Sequence, residues 1–100
     1  MNIRILQLIE GAKQAVGLAV VIDVFRAFTT ACFMMNNSAR AIYPVGTVEE
    51  AFKLKNELPD CLIAGERGEI IVPGFDFGNS PANIEHVDLS GKNIVHTTSA

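Results

Sequence analysis

The stretch ARAIYPVGTVEEAFKLKNELPDCLIAG, Ala39 to Gly65, decides the fold. Ala39 to Val45 and Cys61 to Ala64 are short apolar runs bounded by turn-forming residues, the pattern of buried strands. Between them Thr47 is placed to cap a helix. Glu50, three residues later, completes a capping-box pattern, and Val48, Ala51, Phe52 and Leu54 follow at helical spacing. Pro59 ends that helix, because proline cannot donate the next backbone hydrogen bond. Strand, helix of about ten residues and strand make a βαβ unit, so these strands run parallel with a right-handed crossover.

The same alternation continues outward. Asn2 to Leu6 reads as a short strand, and Gly17 to Val24 as a stronger one, continuously apolar as expected for a strand covered on both faces. Phe25 to Met35 follows as a helix, with Phe25, Phe28, Cys32 and Met35 at helical spacing and Asn36 to Ser38 ending it. Gly91 to Thr97 is a further strand, after a loose segment from Pro81 to Ser90 with room for one helical turn. The sum is one domain over residues 1 to 100: an α/β, three-layer α/β/α unit with a mostly parallel or mixed sheet.

Composition narrows the function. Eight Lys and Arg stand against eleven Asp and Glu, a net charge of -3, with no basic block to neutralise a phosphodiester backbone. A nucleic-acid partner is not expected. The longest apolar run is far short of the ~20 residues that span a bilayer, and the charged N-terminus fits neither a signal nor a transit peptide. A cytoplasmic protein without a membrane partner follows as the expectation. Cys32 and Cys61 lie in apolar surroundings without CxxC spacing, which points to free thiols rather than a disulfide or zinc site.

In parallel sheets ligands bind beyond the carboxyl ends of the strands, where the following helices present their N-termini. Three groups should meet there: Asp23 and Arg26, then Glu66 to Ser80, then Thr97 to Ser99. Asp23 reads as a ligand for a hard cation or as a plain helix cap. A cation at position 26, in the first helical turn, opposes the helix dipole unless an anion sits beside it; otherwise Arg26 is a solvated surface residue. GERGEIIVPGFDFGNSP, Gly65 to Pro81, alternates Glu66, Glu69 and Asp76 with Arg67 and glycines. It reads as a loop for a metal and an anion, or as a surface loop packed by Ile70, Ile71, Phe75 and Phe77. Neither GxxxxGK nor GxGxxG occurs in it. His86 and His96 read as structural or solvent-facing.

DVFRAFTT, GERGEIIVPGFDFGNSP and the terminal TTSA resemble, in order and spacing, the signature segments of the 2-phosphosulfolactate phosphatase family. The resemblance covers Ala19 to Ala100. It implies a Mg²⁺-dependent phosphatase of coenzyme M biosynthesis, hydrolysing 2-phosphosulfolactate to sulfolactate and phosphate with water or Asp23 as the attacking group. It also implies that this sequence is the N-terminal α/β portion of a longer phosphatase-like chain, with little activity of its own. Carried over by motif, Asp23, Arg26, Glu66 and Arg67 are the expected catalytic residues. Asp23, Glu66 and Asp76 are the expected magnesium ligands. Arg26 and Arg67 are expected to clamp the small anionic phosphorylated substrate, with Asn79, Ser80, Thr97 and Thr98 as neutral donors. The rival expectation is a non-catalytic anion- or partner-binding domain of the same fold. A homo-oligomer is expected under either.

Overall fold

A computed structural model describes residues 1–24 and 26–99. Helices α1 (Leu8–Ala12), α2 (Ala27–Asn36) and α3 (Val48–Glu57) accompany strands β1 (Ala41–Pro44), β2 (Cys61–Arg67), β3 (Ile70–Ile71) and β4 (Asn93–Thr98), with a single 3₁₀ turn at Pro81–Asn83. The sheet order is β1-β4-β2-β3; β4 lies between β1 and β2 and is parallel to both, while β3 is antiparallel to β2. The fold is therefore α/β with a mixed sheet.

The deciding stretch folds as its pattern requires. The Thr47 hydroxyl accepts the Glu50 backbone N–H at 3.1 Å. The Glu50 carboxylate reaches back to the Gly46 N–H, also at 3.1 Å, one residue earlier than the usual capping box. Leu58 is already extended, as the residue before a proline prefers.

Side-chain alternation along β2 and β4 divides the core. Ile63 and Val95 pack with Ala51 of α3 on one face. Ala64 and Ile94 pack on the other with Met34 of α2 and with Ala39, Ile84 and Leu89.

Two expected strands are absent. Residues 2–6 and 17–24 belong to no sheet, and the short α1 lies between them. Leu18 is 95% exposed and Ile22 82%. The pattern in residues 17–24 is that of a strand covered on both faces, but no strand pairs with it and no helix covers it among the described residues. A strand's backbone groups need a neighbour to bond.

Helix α2 forms where expected, yet its buried face is Ala27, Thr30 and Met34. The stripe of Phe28, Cys32 and Met35 looks outward, and Phe25 lies outside the described residues.

Strand β2 runs three residues beyond its expected end at Ala64, because β4 stays paired with it as far as Thr98 opposite Glu66. Gly68 and Glu69 then reverse the chain with φ of 57° and 64°, both positive as in a type I′ hairpin turn. The chain afterwards returns beside β2: the Gly65 N–H donates to Phe77 O at 2.9 Å and the Asp76 N–H to Ile63 O at 2.8 Å. Phe75 meets Phe52 of α3 edge-on, with ring centres 5.4 Å apart. The glycine-rich stretch is thus a hairpin followed by a packed return.

Candidate functional site at the carboxyl end of the sheet

The carboxyl ends of β2 and β4 can lie so close because residue 65 has no side chain. A Cβ on Gly65 would sit 1.6 Å from the Thr97 carbonyl oxygen, at a φ of 143° that side chains avoid. Alternation then sends consecutive residues to opposite faces. Glu66 and Thr98 fall on the α2 side, Arg67 and Thr97 on the α3 side.

On the α2 side an open pocket of ≈ 660 Å³ is bordered by Asp23, Arg26, Glu66, Glu69, Asn79 and Thr98. Glu66 is its anchor, with 8% of its side chain exposed. Arg26 Nη2 lies 3.0 Å from Oε1 and 3.1 Å from Oε2 of this carboxylate, and the Asn79 backbone N–H donates to Oε1 at 2.7 Å. Gly78 leaves room for that arrangement, since a Cβ there would lie 2.7 Å from Glu66 Oε1. Arg26 thus has its anion: the carboxylate offsets a cation placed at the start of α2.

Asp23 is a helix cap in fact, its Oδ2 accepting the Phe28 N–H of α2 at 2.9 Å. Its other oxygen takes no hydrogen bond among the described residues, and Asp23 lines the same pocket.

Asn79 is buried and engaged at every polar atom. Besides its N–H to Glu66, its carbonyl accepts from the buried Thr30 hydroxyl at 2.9 Å. Its Nδ2 donates to Thr98 Oγ1 at 2.7 Å, and its Oδ1 lies 2.8 Å from His96 Nε2. Burial lowers the His96 pKa below the ordinary 6.5, with the Asp23 charge acting weakly the other way.

The remaining expected residues lie elsewhere. Arg67 donates to Thr97 Oγ1 at 2.7 Å, to Gly46 O at 3.3 Å and to Glu66 O at 2.9 Å. It ties β2, β4 and the turn before α3 together on the face away from the pocket. Asp76 accepts the Ile63 N–H at 2.9 Å and lies 3.6 Å from Lys55. The expected trio of Asp23, Glu66 and Asp76 is therefore not assembled, because Asp76 is spent on the return along β2. Ser80 leads into the 3₁₀ turn without capping it. Among the described residues no group of three or more His, Cys, Asp or Glu side chains is arranged to hold a metal ion.

Sequence reasoning placed Glu69 only within the acidic loop and took His96 for structural or solvent-facing, without placing either beside this site. Glu69 reaches it through the positive-φ turn, and the two residues from His96 to Thr98 are the strand period that puts both on one face. Among the described residues no helix is long and apolar enough to cross a membrane.

Comparison with known proteins agrees with the residue pattern. The chain resembles a protein of Carboxydothermus hydrogenoformans named probable 2-phosphosulfolactate phosphatase, at 47% identity over 96 residues, covering 95% of this chain and 40% of that protein. Proteins of the same name from Thermotoga petrophila and Deinococcus radiodurans are 48% and 42% identical, over 80% and 81% of this chain and 34% of each relative. The chain thus spans between a third and two fifths of the length of these relatives. Residues 3–100 match the family model described as 2-phosphosulpholactate phosphatase, and the chain belongs to that family.

Proposed function

We propose that the protein carrying this chain is a Mg²⁺-dependent phosphatase that hydrolyses 2-phosphosulfolactate to sulfolactate and phosphate. The observation that carries the reading is the charge of the pocket: Asp23, Glu66 and Glu69 border it against Arg26 alone. Such a rim repels a phosphate monoester unless a cation joins it, and Mg²⁺ typically takes one or two carboxylates and leaves its other positions to water and phosphate.

The donors suit that ion. Asp23 keeps one oxygen free of its capping bond, and Glu66 Oε2 is engaged by Arg26 alone. Asp23 and Glu66 would hold the metal as a pair of carboxylates rather than the expected trio with Asp76, and Glu69 adds its charge at the rim. Bound there, the ion would offset charge on the phosphoryl oxygens.

The chain's own residues supply orientation. Arg26 commits only Nη2 to Glu66, so Nη1 and Nε remain to meet an oxyanion, for which the planar guanidinium is shaped. Thr98 adds a neutral hydroxyl. Arg67 and Thr97 act by holding the strand ends in register. Within the same reading the protein works in the cytoplasm, in the coenzyme M route that the family resemblance implies, as a homo-oligomer acting on a small phosphorylated acid.

The test is phosphate release from 2-phosphosulfolactate, measured in a protein of the relatives' full length that carries these residues. Release should require Mg²⁺ and stop with EDTA, and Asp23→Asn should lower kcat/KM by at least about tenfold and weaken the Mg²⁺ dependence. No Mg²⁺-dependent release from this or related phosphorylated hydroxy acids would replace the phosphatase with an anion- or partner-binding domain.

A further inference from the structure

The buried polar chain behind the pocket has a direction. His96 Nε2, the Asn79 amide and Thr98 Oγ1 follow one another at 2.8 and 2.7 Å. His96 is 8% exposed and Asn79 4%, while Thr98 borders the pocket. An amide has one accepting and one donating end, so the three groups can be linked in only two ways.

In the first, His96 Nε2–H donates to Asn79 Oδ1, Asn79 Nδ2–H donates to Thr98 Oγ1, and the Thr98 proton is free. In the second the amide is turned over: Thr98 donates its proton inward to Oδ1, and Nδ2–H donates to an unprotonated Nε2. The structure takes the first form: Nδ2 faces Thr98 Oγ1 and Oδ1 faces His96 Nε2, and since an amide oxygen only accepts, Nε2 carries the proton. Among the described residues this leaves the Thr98 hydroxyl with Ser99 O as its acceptor, at 3.5 Å and the limit of a hydrogen bond.

We propose that His96 is a positioning residue of the pocket, acting through Asn79 to occupy a lone pair of Thr98 Oγ1 and so turn the Thr98 hydroxyl outward as a donor to a phosphate oxygen. This rests on the reading of the pocket as a phosphate site. Burial disfavours the charged imidazole, and Nε2–H donates to Asn79 in either protonation state. Asn79 is well suited to pass the direction on, because its backbone N–H and C=O are themselves pinned by Glu66 and Thr30. Its amide is held in turn between His96 Nε2 and Thr98 Oγ1. The groups facing the relay are then Glu66 through the Asn79 N–H, Asp23 across the pocket, and the neutral Thr30 from α2.

The chain has only two histidines, His86 and His96, so ring nitrogens can be assigned by ¹⁵N NMR on the labelled chain. For His96 the expected spectrum has Nε2 in the protonated range and Nδ1 in the unprotonated range; the opposite tautomer would overturn the proposal. The second measurement is a titration with inorganic phosphate in the presence of Mg²⁺, read at the Thr98 amide. His96→Leu should weaken phosphate binding roughly fivefold, the worth of one neutral hydrogen bond. His96→Gln, which returns an N–H donor near the Nε2 position, should stay within about twofold of the parent chain. Equal affinity in the leucine variant would overturn the proposal, as would a glutamine variant no better than leucine. Should the leucine variant fail to fold, the tautomer and the glutamine variant still decide. A parent chain with the Nε2–H tautomer that binds no phosphate would sink the phosphate site and leave the relay standing.

Discussion

At the scale of single residues, the two arginines divide a task that the sequence assigned to both. Arg26 lies on the pocket with Nη1 and Nε uncommitted, whereas Arg67 is spread over Thr97, Gly46 and the Glu66 carbonyl. Lysine keeps the charge and loses the fork. In a full-length family protein, Arg26→Lys should raise KM for the phosphorylated acid by about tenfold or more, the scale of a lost charge-assisted hydrogen bond. Arg67→Lys should change KM by less than about threefold and show itself as a lower thermal midpoint. Steady-state kinetics and melting curves on the two variants check this, and the reverse order would return Arg67 to the substrate. His96 adds a pH dependence whose sign is fixed. Its folded pKa lies below the ordinary 6.5, so on acidification the unfolded chain takes up a proton before the folded chain does. Stability is then full above pH 6.5, falls as pH drops below it, and stops falling once the folded imidazole is itself protonated. Urea unfolding from pH 7.5 downward should show this slope, and His96→Gln should flatten it by removing the group.

At the scale of elements, the hairpin turn sets stability against function. Glu69 holds a φ of 64°, a left-handed conformation that costs a side-chain residue on the order of 1 kcal/mol, and its reward is a carboxylate at the pocket rim. Asparagine tolerates that conformation better. Glu69→Asn should therefore raise unfolding stability by roughly 0.5–1 kcal/mol while weakening Mg²⁺ binding, measured by denaturation and calorimetry. A variant that lost stability would mean that Glu69 holds the turn together. Elements whose cause is local were legible in the sequence: α3 from Thr47, Glu50 and Pro59, and the end of α2 from Asn36 to Ser38. The carboxyl-edge position of Glu66 was legible too, because it follows from the parallel pairing of β2 and β4, whereas Asp23 and Arg26 reach that edge at the start of α2, where Arg26 bonds Glu66, although the strand expected to lead into them does not form. The split between Glu66 and Arg67 was not, since it depends on which face of β2 each helix covers. Nor was the place of Asp76, which is fixed by the return of the chain to Ile63, a contact thirteen residues away in sequence.

At the scale of the whole molecule, the well-packed part and the apolar part of the surface lie in different regions of the chain. Sheet, α2 and α3 bury a core on each face, while Leu18, Val20, Val21, Ile22 and Val24 are each at least 69% exposed. Phe28, Ala31, Cys32 and Met35 line a second apolar hollow on the outer side of α2. The radius of gyration, 14.4 Å, exceeds the roughly 13 Å expected for a compact chain of this length. Continuous exposed apolar surface drives association by the same burial that drives folding, at about 25 cal/mol per Å². Residues 17–24 also carry unpaired backbone groups in a β-prone, uncharged run up to Asp23, which favours pairing with the same run of a second copy. As a 100-residue polypeptide the chain should therefore sediment as species larger than its 10.8 kDa monomer, with the larger species growing as concentration rises. Leu18→Lys with Val20→Lys places two charges in the run, touches neither core cluster, and should return the chain to a monomer with an unchanged helical signal by circular dichroism. A parent chain that stays monomeric across the concentration series would show that residues 17–24 find cover within their own molecule, and would restore them as a strand of the sheet.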